Sequence, residues 1–461
     1  MSYPAYPEYK DSSVEWLGEV PAHWGLQKIA WHVPYSVGWT PSSGKEEYYD
    51  GDNLWVTIAD LNKPVIFDTK SKISNKAVDD RGGRLSPAGS MLFSFKLTVG
   101  NVSFLGLPAY TNEAIASFEP NENLDLKYWS YAAPQFIPKY GRENIYGALL
   151  LNQELIGAVR FYVPDIEEQV QLAAFLDHET ARIDALVEEQ QRLIELLKEK
   201  RQAVISHAVT KGLDPDVLMK DSGVEWLGEV PEHWVISNLK YHITTRKGVA
   251  FNASEFSQAG IPVVKASDIK SLTIKDTSSC ISKDFLSKHP KAVLKTGDIV
   301  LSTVGSNPVV KKSAVGQIAS IPAKYNGALL NQNTVVFDID DKEILPGYLL
   351  FMLQSRGYRD HLDLNAHGTA NQASLNVTDM LDFSLALPPI SEQRRIISCI
   401  DSEIDKIKGL LVTADKSQSL LVERRSALIS AAVTGKIDVR GWQLPADSVV
   451  ATGEATQMEA V

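Results

Sequence analysis

The amino-acid sequence predicts an α+β fold of two tandem lobes, each of mixed α and β structure and each followed by a long helix. Three observations lead to this prediction. A motif near the N-terminus recurs with an offset of 210 residues, short apolar and β-branched runs lie inside each lobe, and apolar residues recur at every seventh position after each lobe. With 461 residues, the chain has room for about three domains of ordinary size.

The internal repeat defines the domain organisation. Residues 11–24 read DSSVEWLGEVPAHW and residues 221–234 read DSGVEWLGEVPEHW, and the two agree at 12 of 14 positions. VPDIEEQ at 163–169 matches LPPISEQ at 387–393 at an offset of 224, so the second lobe is 14 residues longer. We assign the first lobe to 1–164, the first long helix to 165–212, the connector and second lobe to 213–388, the second long helix to 389–436, and a partly disordered tail to 437–461.

The two lobes keep a common skeleton although their sequences differ. VTIADL at 56–61 resembles VKASDI at 264–269, and GSMLFS at 89–94 resembles GDIVLS at 297–302. Short apolar and β-branched runs bounded by Gly, Pro, Asp and Ser are typical of strands separated by turns. A shared scaffold with different loops is expected of two domains that do one kind of task on different targets.

Start and stop signals bound both predicted helices. Pro164 and Pro388 come just before the two starts, Asp165 can cap the first helix, and Gly212 and Gly435 lie at the two ends. About 45 residues in one helix would span roughly 68 Å.

The apolar residues of both helices form stripes with a period of seven. One stripe comprises Leu176, Ile183, Leu197 and Val204, with Gln190 as an interruption, and the equivalent stripe comprises Ile400, Ile407, Ala414, Leu421 and Leu428. Two such helices of one chain are expected to pack together as a coiled coil. The alternative is two separate amphipathic helices, each lying only on its own lobe.

The formal net charge of −11 is distributed unevenly. Residues 25–160 carry 13 basic and 14 acidic side chains, and residues 235–385 carry 16 and 13. Because the lobes are nearly neutral, the acidic total does not exclude nucleic-acid binding. The sequence contains no apolar run of 18 residues and no readable signal peptide, which predicts a cytoplasmic protein.

Common catalytic motifs are absent from the sequence. It contains no GxxxxGK[ST], HExxH, paired CxxC or GxGxxG pattern. Cys280 and Cys399 are too few for a disulfide framework, and we expect both to be small buried residues. His23 and His233 recur only inside the repeated motif, where neighbouring tryptophans suggest a packing role. The sequence therefore predicts a binding protein with no catalytic or metal-ligating residues.

The repeated motifs resemble those of one known family. EWLGEVP-x-HW opens each lobe, Pro-x-Ile-x-Glu-Gln starts each long helix, and the helices end in AVTKGLDP and AVTGKIDVR. Over nearly the whole chain, these motifs are similar to those of the specificity subunit of type I restriction-modification systems. One departure is VPDIEEQ in the first copy, where the second copy has the more familiar LPPISEQ.

This resemblance implies two target-recognition domains, each reading one half of a split double-stranded DNA site. The two helices would run antiparallel as a coiled-coil spacer. The expected partners are two modification (methyltransferase) subunits and the restriction (translocase/nuclease) subunits. S-adenosylmethionine, ATP and magnesium would then belong to those partners, with no cofactor in this chain.

Reading DNA requires Arg, Lys, Asn and Gln at base edges and further Lys and Arg at phosphates. We therefore selected polar side chains in loop-like stretches as candidate DNA contacts. They are Arg81, Arg84, Lys96, Asn101 and Arg142 in the first lobe, and Arg246, Lys247, Asn307, Lys311, Lys312, His367, Asn371 and Gln372 in the second.

Two other classes of protein have a similar outline. A duplicated coiled-coil scaffold that binds only proteins would keep the helices but would not need divergent basic loops. A fused, self-sufficient restriction enzyme would need the catalytic motifs that this sequence lacks.

Overall fold

The computed structural model describes residues 3–445 except 144, 146, 148, 271, 306–314, 341, 370 and 371. The chain forms two compact units. The first contains the chain up to Gln190 together with the segment from Ser417, and the second contains Gln191–Lys416. Each unit therefore holds one lobe and one half of each long helix. Within the described residues, no helix is both long enough and apolar enough to span a membrane.

The first lobe mixes short helices with short strands. Its helices are α1 (Ile29–His32), α2 (Asn75–Arg81), α3 (Leu126–Phe136) and α4 (Gln153–Ala158). Its strands are β1 (Tyr9–Asp11), β2 (Glu19–Pro21), β3 (Gly25–Lys28), β4 (Tyr35–Val37), β5 (Asn53–Val56), β6 (Val65–Ile66), β7 (Ser71–Ile73), β8 (Met91–Ser94), β9 (Val102–Leu105), β10 (Tyr110–Thr111), β11 (Ile115–Phe118), β12 (Arg142–Glu143), β13 (Leu149–Leu150) and β14 (Arg160–Val163).

Two sheets form the centre of the first lobe. One has the strand order β4-β11-β8-β9-β6 and the other has the order β10-β5-β7. Strand β3 pairs antiparallel with β14, so the chain enters and leaves the lobe side by side, with Gly25 opposite Val163. The core contains the fully buried rings of Phe93, Phe118 and Trp129.

The first long helix and the second lobe follow. Helix α5 (Ile166–Lys211) precedes α6 (Asp284–Lys288), α7 (Pro346–Leu353), α8 (Arg356–Leu364) and α9 (Val377–Leu381). The strands are β15 (Met219–Asp221), β16 (Glu229–Pro231), β17 (Val235–Asn238), β18 (Ile243–Lys247), β19 (Ile261–Val264), β20 (Ile269–Lys270), β21 (Thr273–Ile274), β22 (Cys280–Ile281), β23 (Ile299–Ser302), β24 (Val304–Gly305), β25 (Ile318–Ser320), β26 (Leu329–Leu330), β27 (Thr334–Ile339), β28 (Ala366–Thr369), β29 (Gln372–Leu375) and β30 (Ser384–Leu387). The second long helix is α10 (Ile390–Val433).

The second lobe repeats the plan of the first. Its larger sheet has the order β18-β27-β23-β25, and its smaller sheet has the order β22-β19-β26. Strand β17 pairs antiparallel with β30, as β3 pairs with β14. The matched segments 56–61 and 264–269 begin at the last residues of β5 and β19. The matched segments 89–94 and 297–302 end at the last residues of β8 and β23. The prediction of mixed α and β lobes built on central strands is confirmed.

The predicted apolar stripe of each long helix is buried. Leu176, Ile183 and Leu197 are almost inaccessible in α5, as are Ile400, Ile407 and Ala414 in α10. Val204 and Leu421 are half-buried. The period of seven therefore identified the buried face of both helices, although it did not identify the partner of each residue.

Residues of both helices enter the core of each unit. In the first unit, Ile183 of α5 belongs to the same buried cluster as Leu428 of α10, and Arg425 Nε lies 2.8 Å from Asp184 Oδ1. In the second unit, Ile205 of α5 shares a buried cluster with Ile400 and Ile404 of α10. Each lobe thus rests on the start of its own following helix and on the end of the other helix.

A glutamate in the first turn of each long helix contacts the repeated motif. Glu168 is buried, and its carboxylate accepts hydrogen bonds from Tyr6 Oη and Trp24 Nε1, while His23 Nε2 lies 2.8 Å from Glu168 Oε2. In the second lobe, His233 Nε2 lies 2.8 Å from Glu392 Oε2. Burial and the hydrogen bond to Glu168 raise the pKa of Tyr6, so its hydroxyl remains a donor.

The side chain of the glutamine that follows each glutamate makes hydrogen bonds within its own lobe. In the contacts described, all of its partners are backbone groups. Gln169 Nε2 donates to Pro164 O over 3.0 Å, and its Oε1 accepts from the N–H of Asp125 over 2.9 Å. Gln393 Nε2 donates to Pro388 O over 3.0 Å, and its Oε1 accepts from the N–H of Leu345 over 2.8 Å. We call each Glu-Gln pair with these partners the helix-start clamp.

The opposite ends of the long helices meet the same motif. Gly212 and Gly435 have φ values of +79° and +73°, the left-handed conformation in which helices commonly end. Lys211 Nζ donates to the carbonyl of Glu229, and Lys436 Nζ donates to the carbonyl of Glu19. Glu19 and Glu229 occupy one position of the repeat, so α5 ends on the second lobe and α10 ends on the first.

The start of the C-terminal tail is packed, and partial disorder of the tail stays a prediction. The N–H of Asp438 donates to Pro4 O over 2.8 Å, and the Trp442 ring packs edge-on against Phe175 with centroids 5.5 Å apart. Residues 446–461 lie outside the described residues.

The prediction of buried cysteines is wrong, because Cys399 is exposed and Cys280 is only partly buried.

Replacing Gln169 with Ala should lower the free energy of unfolding of the first unit by about 2–3 kcal/mol. The change leaves the N–H of Asp125 and the carbonyl of Pro164 without their partner in a buried place. Thermal and urea unfolding would measure the loss. Gln153→Ala is the matched control, because Gln153 is exposed and its loss should cost less than about 0.5 kcal/mol. Equal stability of the two variants would contradict the clamp.

Candidate nucleic-acid interface

Most candidate DNA contacts lie on two elements that occupy equivalent places in the two lobes. In the first lobe, the first element is residues 95–101, which connect β8 to β9. In the second lobe it is residues 303–317, which connect β23 to β25. The second element is the hairpin β12–β13 or β28–β29. We call them the sheet loop and the hairpin. The sheet loop is longer in the second lobe, where it accounts for part of the extra length.

The sheet loop of the first lobe is held by the serine at the end of β8. The N–H of Asn101 donates to Ser94 Oγ over 3.2 Å, and the N–H of Gly100 donates to Ser94 O over 3.0 Å. Lys96 and Asn101 are both exposed. Between them, Leu97 has a φ of +61° and is 92% exposed. The loop therefore presents one cation, one hydroxyl, one amide and one apolar side chain to solvent, those of Lys96, Thr98, Asn101 and Leu97.

Charged groups of both signs, Glu113 and Lys96, lie near the base of this loop. A hydrogen bond from Thr40 lowers the pKa of Glu113, and the charge of Lys96 contributes in the same direction. Lys96 Nζ lies 5.8 Å from the centre of the Phe95 ring. Lys96 thus keeps its ammonium group at the surface without a close ion pair among the described contacts.

The first-lobe hairpin presents Arg142 at its base. Arg142 is exposed and lies opposite Leu150 in the β12–β13 pair. Ile145 in the turn is 91% exposed. Leu97 and Ile145 are not among the candidates predicted from the sequence, because those candidates are all polar or charged side chains.

Arg84 and Arg81 differ from these candidates. Arg84 Nη2 lies 2.7 Å from Glu119 Oε1, so its charge is paired within the lobe although the side chain is largely exposed. Arg81 is the last residue of α2 and is followed by Gly82 in the left-handed conformation. The Arg81 side chain lies outside the described residues.

In the second lobe, the sheet loop and the hairpin join in one small sheet of order β24-β29-β28. Val304 pairs with Ser374, and Ser374 pairs with His367 on the other side. The His367 side chain is 70% exposed, with Nε2 3.7 Å from Asp379 Oδ2. The structure thus places His367 in the same small sheet as the start of the sheet loop, with β29 between them.

Several candidates in the second lobe lie outside the described residues. Asn307, Lys311 and Lys312 follow β24 in the sequence, and Asn371 lies in the sequence between β28 and β29. Gln372 begins β29, but its side chain is outside the description. Their contact with DNA stays a prediction.

Arg246 is occupied by contacts within its own lobe, and this geometry argues against its selection as a DNA contact. Its Nε lies 2.8 Å from Asp338 Oδ2, its Nη2 lies 2.9 Å from Asp298 Oδ2, and its Nη1 donates to the carbonyls of Lys291 and Val293. The side chain is only 19% exposed. The next residue, Lys247, is exposed and remains a candidate.

Among the residues that the structure describes, no group of three His, Cys, Asp or Glu side chains is arranged to hold a metal ion. The exposed polar side chains described on these elements, Lys96, Asn101, Arg142 and His367, are suited to hydrogen bonds and charge contacts with a polyanion.

Comparison with known proteins gives one consistent result. The family model described as the type I restriction modification DNA specificity domain matches residues 35–196 and again residues 231–410. The chain is 24% identical over 427 residues to the MjaVIII specificity subunit of Methanocaldococcus jannaschii, covering 91% of this chain and 94% of that protein. It is 23% identical over 306 residues to the EcoBI specificity subunit of Escherichia coli, covering 64% and 62% of the two chains.

Solved structures share the fold. A chain from a structure of complex assembly and conformational transition of the type I R-M system has a TM-score of 0.69 at 15% identity, covering 91% of this chain and 99% of that one. The HsdS subunit from Thermoanaerobacter tengcongensis has a TM-score of 0.53 at 14% identity, covering 93% and 100%. At such low identity, these matches concern the fold alone.

Replacing Lys96 with Ala should weaken binding to duplex DNA of every sequence to a similar degree. If Lys96 neutralises a phosphate, the slope of log affinity against log salt should fall by about 1. Fluorescence anisotropy at several salt concentrations, on the chain assembled with its partner subunits, would measure both effects. Lys76→Ala is the matched control, because Lys76 is an exposed lysine of the same lobe that is paired with Glu47. Equal salt slopes for both variants would remove Lys96 from the interface.

Proposed function

The chain belongs to the type I restriction-modification DNA specificity family, and from this premise we propose that each lobe reads one half of a bipartite DNA site. The chain is the non-catalytic specificity subunit of such a system. Methylation or cleavage of the DNA is then the work of other subunits, and this chain determines where on the DNA they act.

One observation carries the two-module proposal. The lobes share their sheet plan and their attachment to the long helices, but they differ in the sheet loop and the hairpin. Residues 95–101 connect β8 directly to β9. Residues 303–317 contain an additional strand, β24, which pairs with the hairpin strand β29. A constant frame with two sets of loops that differ in length and in strand pairing suits a protein that reads two unlike half-sites.

We also propose that α5 and α10 form one antiparallel coiled coil that acts as the spacer. The support comes from each unit by itself. The N-terminal half of α5 shares a buried cluster with the C-terminal half of α10, and the C-terminal half of α5 shares another with the N-terminal half of α10. This arrangement disfavours two helices that each contact only their own lobe. The spacer would set the number of unread base pairs between the half-sites.

The partners that we propose are two modification subunits and the restriction subunits of the same system. S-adenosylmethionine, ATP and magnesium would be bound by those partners. The alternative of a protein-binding scaffold that does not read DNA is not favoured, since the matching family and the relatives are DNA specificity proteins.

Exchanging one lobe should change one half of the methylated site and leave the other half intact. Residues 25–160 are a suitable exchange unit, because β3 and β14 bring the two ends of this segment side by side. Replacing them with the equivalent lobe of a related subunit, and mapping methylated adenines by sequencing, would test the proposal. Exchange of residues 235–385 is the matched control and should change the opposite half. A single exchange that altered both halves would show that the lobes read DNA jointly.

A further inference from the structure

The sheet loop of the first lobe holds a leucine in a conformation and an environment that are both unfavourable for leucine. Leu97 has a φ of +61°, in the left-handed region that glycine adopts freely and that a residue with a Cβ atom adopts only at a cost. Its side chain is 92% exposed, so its apolar surface faces water. A glycine at this position would remove both costs. Leu97 therefore fits a role outside the stability of the lobe.

Buried residues at the base of the loop hold this conformation. Ser94 is fully buried, and its hydroxyl donates to the carbonyl of Thr98 and accepts from the N–H of Asn101 over 3.2 Å. Phe95 is 2% exposed and anchors the same end of the loop as Ser94. The loop is thus fixed on both sides of Leu97, and the leucine is presented to solvent before any partner arrives.

The second lobe has no leucine at this position. The segments 89–94 and 297–302 match, and the residue three positions beyond each match is Leu97 in the first lobe and Gly305 in the second. Gly305 lies in β24 and pairs with Ala373 of the hairpin. The leucine thus belongs to the part of the lobe that differs between the two copies. A target that only the first lobe contacts fits this distribution.

The exposed neighbours of Leu97 in the loop are polar. Lys96, Thr98 and Asn101 offer an ammonium group, a hydroxyl and an amide to solvent. A protein interface usually has a contiguous apolar core inside a polar rim. Here a single apolar side chain stands among polar ones. The base edges of DNA have the complementary pattern, because the methyl group of thymine lies among hydrogen-bonding groups in the major groove.

Resting on the proposed function, we propose that Leu97 is a specificity-determining residue that contacts the 5-methyl group of a thymine in the half-site of the first lobe. The major groove displays this methyl group on the thymine of an A·T pair, and it displays hydrogen-bonding groups suited to an amide side chain on the adenine. Asn101 then reads an adenine near this thymine, and Lys96 neutralises a phosphate beside them.

Removing the leucine side chain and the thymine methyl group, separately and together, tests this contact. The half-site of the first lobe is first assigned by exchanging residues 25–160 and mapping the methylated adenines. The full chain, assembled with its modification subunits, is then bound to duplexes in which each thymine of that half-site is replaced in turn by uracil, which lacks only the methyl group. One uracil should weaken binding about fourfold, the effect expected of one buried methyl group. Leu97→Ala should weaken binding to the unmodified site about tenfold and should abolish the effect of that uracil.

Leu107→Ala is the matched control. Leu107 is an exposed leucine of the same lobe that follows β9, whereas the sheet loop precedes β9, so the two leucines lie beyond opposite ends of one strand. This variant should bind the unmodified site as the unchanged chain does, and the uracil should still weaken its binding.

A glycine variant separates DNA contact from stability. Leu97→Gly suits the left-handed φ, so it should unfold at a higher temperature than Leu97→Ala and yet bind the site equally weakly. A purely structural role of Leu97 predicts instead that the more stable variant binds DNA more tightly, and that result would overturn the inference.

The outcomes distinguish this inference from the proposed function on which it rests. Unchanged affinity of Leu97→Ala would overturn the inference and leave the proposed function intact. Weaker binding with every uracil effect preserved would overturn it as well, because Leu97 would then act as a wedge between bases and not as a reader of thymine. A half-site in which no uracil weakens binding would do the same. An unchanged complex that binds duplexes of all sequences equally would instead contradict the proposed function itself.

Discussion

The buried carboxylate of Glu168 is the interaction on which the arrangement of the first lobe depends. A buried charge is stable only when it is paired and hydrogen-bonded, and here Tyr6, His23 and Trp24 supply those contacts. Because Glu168 lies in the first turn of α5, the pairing fixes the orientation of the long helix relative to the repeated motif. Glu392 and His233 make the corresponding contact in the second lobe.

This constraint explains how two lobes can diverge without losing their place in the molecule. The histidine–glutamate pairs, the glutamine contacts, the paired strands β3–β14 and β17–β30, and the helix ends at Gly212 and Gly435 recur in both copies, whereas the bonds of Tyr6 and Trp24 to Glu168 are described in the first lobe alone. All of them lie at the boundary between lobe and helix. The sheet loops and hairpins lie beyond the central strands, where changes in length and sequence leave the clamps untouched. Under the proposed function, stability and specificity would therefore reside in different residues.

The sequence predicted those features that are local or periodic. The repeat located both lobes, and the period of seven identified Ile183 and Ile400 as buried. Contacts between residues far apart in the chain were not predictable. His23 and Glu168 are 145 residues apart, so their pairing needed the fold. The same holds for Arg246, which appeared to be a free cation in sequence but has Asp298 and Asp338 as partners. Exposed apolar residues such as Leu97 were missed because burial is the usual place of leucine.

The central claim is that one frame holds two independent DNA readers at a fixed separation. It is tested most directly by mapping methylated adenines across the host genome, with the gene for this chain intact and deleted. The account predicts that deletion abolishes methylation at one bipartite motif, whose two halves differ in sequence and are separated by a constant number of unread base pairs. Methylation that persists after deletion, or a lost motif that is continuous, would contradict the account.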